Sequence, residues 1–190
     1  MLSAISARIL KLLGWTLEVN LPGISKYVVI AAPHTSNWDF PLGILTVWAL
    51  KLKVTWMGKH SLFRWPFGWF FRAIGGTAVH RNSGKNYIAQ MTDLFDQSEN
   101  LVLALAPEGT RSKTDHWKTG FYYIARAADV PIVLGGFDYQ RKCISVSGLI
   151  HPSDDIEADF EKLRSIYADK HGKNPENTSL IRVRPPKPSE

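Results

Sequence analysis

Residues 33–40 read Pro-His-Thr-Ser-Asn-Trp-Asp-Phe, and two of them can do chemistry together: His34 and, five positions later, Asp39. Neutral imidazole titrates near physiological pH, so it can take a proton from a hydroxyl during attack. A carboxylate on the other ring nitrogen fixes the tautomer and stabilises the imidazolium that forms. The stretch lies between a strand-like segment, 26–32, and an apolar helical pattern, so the pair falls on a strand-to-helix turn tight enough to fold Asp39 back toward His34. Ser36 or Asn37 is placed to cap the helix. The plainer alternative is a surface histidine, with Asp39 favouring the helix dipole from the first turn.

A second set of charged groups follows the same rule of placement. Lys59, Arg81, Glu108 and Arg111 each come shortly after a predicted strand, as His34 does. In a parallel sheet the loops after successive strands gather at the carboxyl edge, where ligands bind. Lys59, Arg81 and Arg111 can hold a phosphate, arginine through bidentate contact and lysine as a point charge. Glu108, followed by Gly109, suits a hydrogen bond to a substrate hydroxyl, with the glycine allowing close backbone approach. Taken singly, each is equally well a solvated loop charge.

The elements that must position these groups alternate. Strand patterns cover 15–20, 26–32, 54–57, 77–80, 101–105, 130–137 and 143–150. Helical patterns cover 2–13, 38–52, 85–97, 121–128 and 156–171. Alternation of this kind predicts a single-domain α/β fold, a mostly parallel central sheet flanked by helices. Residues 1–14 form an amphipathic helix suited to a membrane interface or to packing on the domain; 15–172 form the main domain; 173–190 are a Pro-rich tail, extended or loose. Between 61 and 74 lie Phe63, Trp65, Phe67, Trp69, Phe70 and Phe71, with Pro66 breaking any helix. That patch reads either as core or as an interfacial belt.

Composition narrows the classes. Hydrophobic residues make up 45% and charged ones 21% of 190 residues, which indicates a folded chain with a sizeable core. The net charge of +6 favours an anionic partner: nucleic acid, an anionic membrane or a phosphorylated substrate. One cysteine, Cys143, excludes an internal disulfide, and no Cys/His cluster suggests a metal site. No apolar run of the length needed to span a bilayer is present, and no secretory leader is recognisable, so no transmembrane segment is expected. The aromatics cluster around Trp65 while the basic residues are scattered, which disfavours a nucleic-acid platform. The absence of a Gly-x-Ser-x-Gly elbow disfavours a serine hydrolase.

Four ordered blocks make the reading specific: His34 through Asp39; Gly76-Thr77-Ala78-Val79-His80-Arg81; Pro107-Glu108-Gly109-Thr110-Arg111-Ser112; and Val130-Pro131-Ile132-Val133. In order and spacing they resemble the glycerolipid acyltransferase family, typified by 1-acylglycerol-3-phosphate acyltransferases. The resemblance implies transfer of a fatty acyl group from acyl-CoA or acyl carrier protein, as co-substrate, to a glycerolipid hydroxyl in phospholipid biosynthesis. It implies no bound cofactor or metal. His34 would be the general base and Asp39 its orienting partner. Arg81, Glu108, Gly109, Thr110 and Arg111 would bind the phosphorylated acceptor, with Lys59 a helper. Cys143 lies outside the blocks, so no acyl-enzyme is implied. The expected partners are the thioester donor, a lysophospholipid, a membrane surface and, where it carries the donor, acyl carrier protein, but not nucleic acid. The expected location is peripheral, on the cytoplasmic face of a bacterial inner membrane. Pro33, His80, Ala106 and Gly135 depart from the family pattern. They leave the His-Asp pair intact but bear on the acceptor, which extends to other lysolipids or hydroxylated molecules. A basic membrane-binding module without catalysis is the competing class.

Overall fold

The computed structural model describes residues 1–21, 23–79 and 84–185. Its sheet grows around Lys26–Ala32 (β2), whose alternate residues Val28, Ile30 and Ala32 are wholly buried on one face. Tyr27, Val29 and Ala31 point to the other face, as strand periodicity requires. Around β2 lie Thr16–Asn20 (β1), Val54–Lys59 (β3), Gly76–Val79 (β4), Leu101–Leu105 (β5), Ile132–Asp138 (β6) and Cys143–Ile150 (β7). The seven strands run in the order β1-β7-β6-β2-β5-β3-β4. Every pairing is parallel except β6 with β7, which a tight turn joins as a hairpin. The predicted fold is the one observed.

Right-handed crossovers decide which face each helix covers. Asp39–Ala49 (α2) and Gly68–Ala73 (α3) join β2 to β3 and β3 to β4, moving one way along the sheet. Gly84–Gln97 (α4) and Gly120–Ala127 (α5) join β4 to β5 and β5 to β6, moving the opposite way, and so lie on the opposite face. Ile156–Tyr167 (α6) joins α4 and α5: Met91, Phe95, Phe121, Ile124, Phe160 and Leu163 close over Val28, Ile30, Leu103 and Ile132. Asp155 caps α6 by accepting from Ala158 N–H at 3.0 Å, with Glu157 and Asp159 in its first turn.

On the other face Leu2–Leu12 (α1) lies against α2, where Ser3 Oγ donates to Ala49 O at 2.9 Å and Leu10 packs with Leu42. The aromatic segment divides. Phe63 and Phe71 turn inward to meet Phe40 and Trp56 edge-on or tilted, with centroids 4.7–6.3 Å apart. Trp65, Phe67 and Trp69 turn outward, Trp65 being 93% exposed. Sequence pattern offered core or interfacial belt for this patch; the fold buries part of it and leaves part exposed. Beyond α6 the described chain has one short 3-10 turn, Pro175–Asn177, where looser or extended chain was expected, and it is tied down. Asn174 Nδ2 donates to Thr35 O at 2.9 Å, and Thr114 N–H donates to Ser179 Oγ at 3.0 Å. These cross-links hold the described part of the segment to the domain.

Candidate active site

The turn after β2 and the loop after β5 leave neighbouring parallel strands for helices on opposite faces, α2 and α5. Such a switch point opens a crevice at the carboxyl ends of the two strands. His34 and Glu108 sit on its two sides and meet across it: His34 N–H donates to Glu108 Oε1 at 2.9 Å.

His34 Nδ1 lies 3.0 Å from Asp39 Oδ2. An ionised carboxylate only accepts, so Nδ1 carries the hydrogen and Nε2 keeps its lone pair. The same Oδ2 accepts the backbone N–H groups of Thr35 and Ser36, each at 2.9 Å. Those two donors exist because the chain turns sharply between Pro33 and Trp38. Asp39 is thereby fixed before substrate arrives, with its side chain 1% exposed while that of His34 is 23% exposed. The helix itself has Trp38 at its N-cap and no side-chain cap. Ser36 Oγ instead accepts Trp38 N–H at 3.2 Å, so the serine steadies the turn and not the helix. Asp39 Oδ1 accepts the hydroxyl of Tyr139, a residue 100 positions away, at 2.6 Å. No sequence pattern pointed to Tyr139, because only the β6–β7 hairpin brings it there.

Glu108 is 2% exposed, and its second oxygen, Oε2, is buried with no hydrogen-bond partner among the described residues. Burial pushes its carboxyl up to about 7, against the lowering pull of the His34 N–H. The sequence pointed to a substrate hydroxyl as its partner; what it touches is the backbone of His34. Gly109 follows with φ +65°, a left-handed conformation that glycine adopts without strain, and donates its N–H to Ala106 O at 3.0 Å. Thr110 and Arg111 are exposed on the same loop, where Thr110 Oγ1 accepts Ser112 N–H at 3.3 Å. Lys59 ends β3, its backbone paired with Val79, at the same edge of the sheet; its side chain, like Arg81 as a whole, lies outside the described residues.

Below His34 runs an apolar cavity of about 220 Å³ between α2 and the sheet. Phe40, Gly43 and Val47 line it from α2, Val29, Ala31 and Ala104 from the strands, and His34 and Asp39 also reach it. Small residues stand among its larger lining side chains. Gly135 belongs to this set, and a Cβ there would meet Ile30 O at 2.7 Å, so glycine also permits the close approach of β6 to β2. Among the described residues no group of three or more His, Cys, Asp or Glu is placed to hold a metal, and no helix is long and apolar enough to cross a membrane.

A carboxylate-steered imidazole stands at an apolar cavity on the carboxyl edge of a mostly parallel α/β sheet, an arrangement chemically able to take up a proton beside an apolar group. The sequence model of the acyltransferase family matches residues 16–133, and the chain belongs to that family. It is an acyltransferase enzyme. The fold is similar to the crystal structure of the 1-acyl-sn-glycerophosphate (LPA) acyltransferase PlsC from Thermotoga maritima, with a TM-score of 0.55 and 18% identity. That similarity covers 88% of this chain and 73% of the other. Among curated proteins none matches.

Proposed function

We propose that the protein moves a fatty acyl chain from a thioester, acyl-CoA or acyl carrier protein, to the free hydroxyl of a glycerolipid such as 1-acylglycerol-3-phosphate. The observation that carries this reading is the apolar cavity with His34 at its mouth. The cavity suits an alkyl chain, which gains by leaving water. The imidazole suits the step at the chain's carbonyl end.

In this reading Nε2 takes the proton of the acceptor hydroxyl as its oxygen attacks the thioester carbonyl. The tetrahedral intermediate collapses, the carbon–sulfur bond breaks, and the departing thiolate receives the proton from the imidazolium. An ester and a free thiol result, and His34 returns to its neutral state. Asp39 stabilises the imidazolium throughout. Glu108 holds the backbone of His34 in place. Arg111, with Lys59, Arg81, Thr110 and the Gly109 turn, meets the acceptor phosphate.

Access to the acceptor is at a membrane surface, as a peripheral protein on the cytoplasmic face. Supporting this, α1 exposes Leu2, Ile5, Ile9 and Leu12 alongside Arg8 and Lys11, and α3 with its preceding turn exposes Trp65, Phe67 and Trp69. Removing residues 1–14 is expected to weaken sedimentation with anionic liposomes; unchanged sedimentation rejects α1 as an anchor.

The reaction is tested by giving purified protein long-chain acyl-CoA and lysophosphatidic acid. Thiol release dependent on the acceptor is expected, and His34→Ala should reduce it by about a hundredfold to ten-thousandfold. Release without an acceptor would point to a thioesterase. No release across a panel of donors and lysolipids would leave a binding module.

A further inference from the structure

We propose that Tyr139 is a positioning residue for the His34–Asp39 pair, its hydroxyl proton holding Asp39 Oδ1 so that Oδ2 stays turned to His34 Nδ1. This rests on the reading of His34 as the base.

The hydrogen bonds on the carboxylate make the case. Oδ2 takes the His34 ring and the Thr35 and Ser36 N–H groups, which fix where that oxygen lies. Oδ1 takes the Tyr139 hydroxyl at 2.6 Å. A buried carboxylate oxygen stripped of its donor costs more than the bond is worth when made. It also leaves more negative charge to act on the imidazole. Tyr139 therefore does two things: it stops rotation of the carboxylate and draws part of its charge away from His34.

The tyrosine is itself held. It follows Asp138 at the end of β6, and Asp138 Oδ1 closes the hairpin turn by accepting the N–H groups of Gln140 and Arg141 at 3.1 and 3.2 Å. Tyr139 N–H donates to His171 O at 2.8 Å, and its ring meets Trp15 edge-on at 4.8 Å between centroids. Burial and the adjacent Asp39 push the phenol well above its ordinary pKa, so it remains a donor. The same C-terminal segment that accepts from Tyr139 also grips the catalytic turn from the other side. Asn174 N–H donates to Thr35 Oγ1 at 3.2 Å, and Lys173 lies over the Trp38 ring at 5.2 Å. The turn and the carboxylate are thus secured by parts of the chain a hundred or more residues away.

Tyr139→Phe in the full chain keeps the ring against Trp15 and removes only the hydroxyl. Two readouts are compared with wild type, at matched melting temperature: steady-state kinetics with acyl-CoA and lysophosphatidic acid, and the low-field proton resonance of His34 Nδ1–H, assigned by its loss in His34→Gln. The expected result is a kcat lower by roughly tenfold, as when an orienting partner of a ligating group is removed, with KM little changed and the Nδ1–H signal displaced. Unchanged kcat with an unmoved signal would overturn the proposal. If wild type transfers no acyl group to any acceptor but the signal still moves in Tyr139→Phe, the positioning stands and the assigned reaction fails.

Discussion

The two faces of one sheet are packed in opposite ways. Under α4, α5 and α6 the large side chains Trp117, Tyr122, Phe95 and Phe160 are sealed against Val28, Ile30 and Leu103. Under α2 the strands present Val29, Ala31, Ala104 and Gly135, and the space they leave is the cavity. β2 contributes to both faces through alternate residues, Val28, Ile30 and Ala32 to one and Tyr27, Val29 and Ala31 to the other, so the two faces share one backbone. Filling a face with large apolar groups stabilises the fold, since interiors pack to near-crystalline density. Leaving space under α2 forgoes part of that stabilisation and leaves room beside His34. The α2 side also carries packed core, Leu10 with Leu42 and Phe137, and Tyr27 with Val102 and Val133, and the cavity lies beside it.

That division can be broken from either side. Phe160→Ala removes a wholly buried ring from the filled face and should cost about 3–5 kcal/mol, lowering the melting temperature by roughly 6–20 °C. A loss under 1 °C in a thermal melt would mean that this face is not the main core. Glu108→Gln acts at the rim between the two faces. The wild-type carboxyl, raised from 4.5 to about 7, costs stability as it is forced to ionise in a buried place. Its contribution is therefore fully present below about pH 4.5 and lost as the pH rises through about 7. The glutamine has no such loss, so its stability relative to wild type should grow across that window and level off above it, by at most about 3 kcal/mol. Denaturant melts at pH 5 and pH 8 measure the gap; a constant gap would contradict the buried-acid assignment.

The smallest effect sharpens the comparison most. Gly43 lies within α2 facing the cavity, and a Cβ there would meet Phe137 at an ordinary 3.7 Å. Gly43→Ala should raise stability by up to about 1 kcal/mol through helix propensity. It should also shift the preferred donor to shorter acyl chains, read from product mass spectrometry over a chain-length series. Added stability with no change in preference would separate this position from the chain-binding space.

Much of this organisation was legible in the sequence because it is written locally. The alternation of strand and helix patterns follows from period and turn residues, and His34 and Asp39 lie within one turn of chain, so spacing alone suggested their contact. Glu108 was legible as part of the site but not in its partner: nothing in Pro107-Glu108-Gly109 says that a carboxyl will fold inward onto the His34 backbone. Tyr139, Asn174 and the cavity were not legible at all. The first two act across a hundred residues or more, and the third depends on which side chains face one another across the sheet and α2. The outward turn of Trp65, Phe67 and Trp69 against the inward turn of Phe63 and Phe71 was undecided for the same reason.

The central claim is that the under-filled face receives the acyl chain with its carbonyl at His34. A fatty acyl-CoA bearing a photoreactive diazirine near the chain terminus tests it directly, with labelled peptides located by mass spectrometry after irradiation. Labelling within α2 and the facing strands, at residues such as Val47, Val29 or Val54, is the predicted result. Labelling confined to the α4–α6 face or to exposed loops, with α2 and its strands untouched, would contradict it.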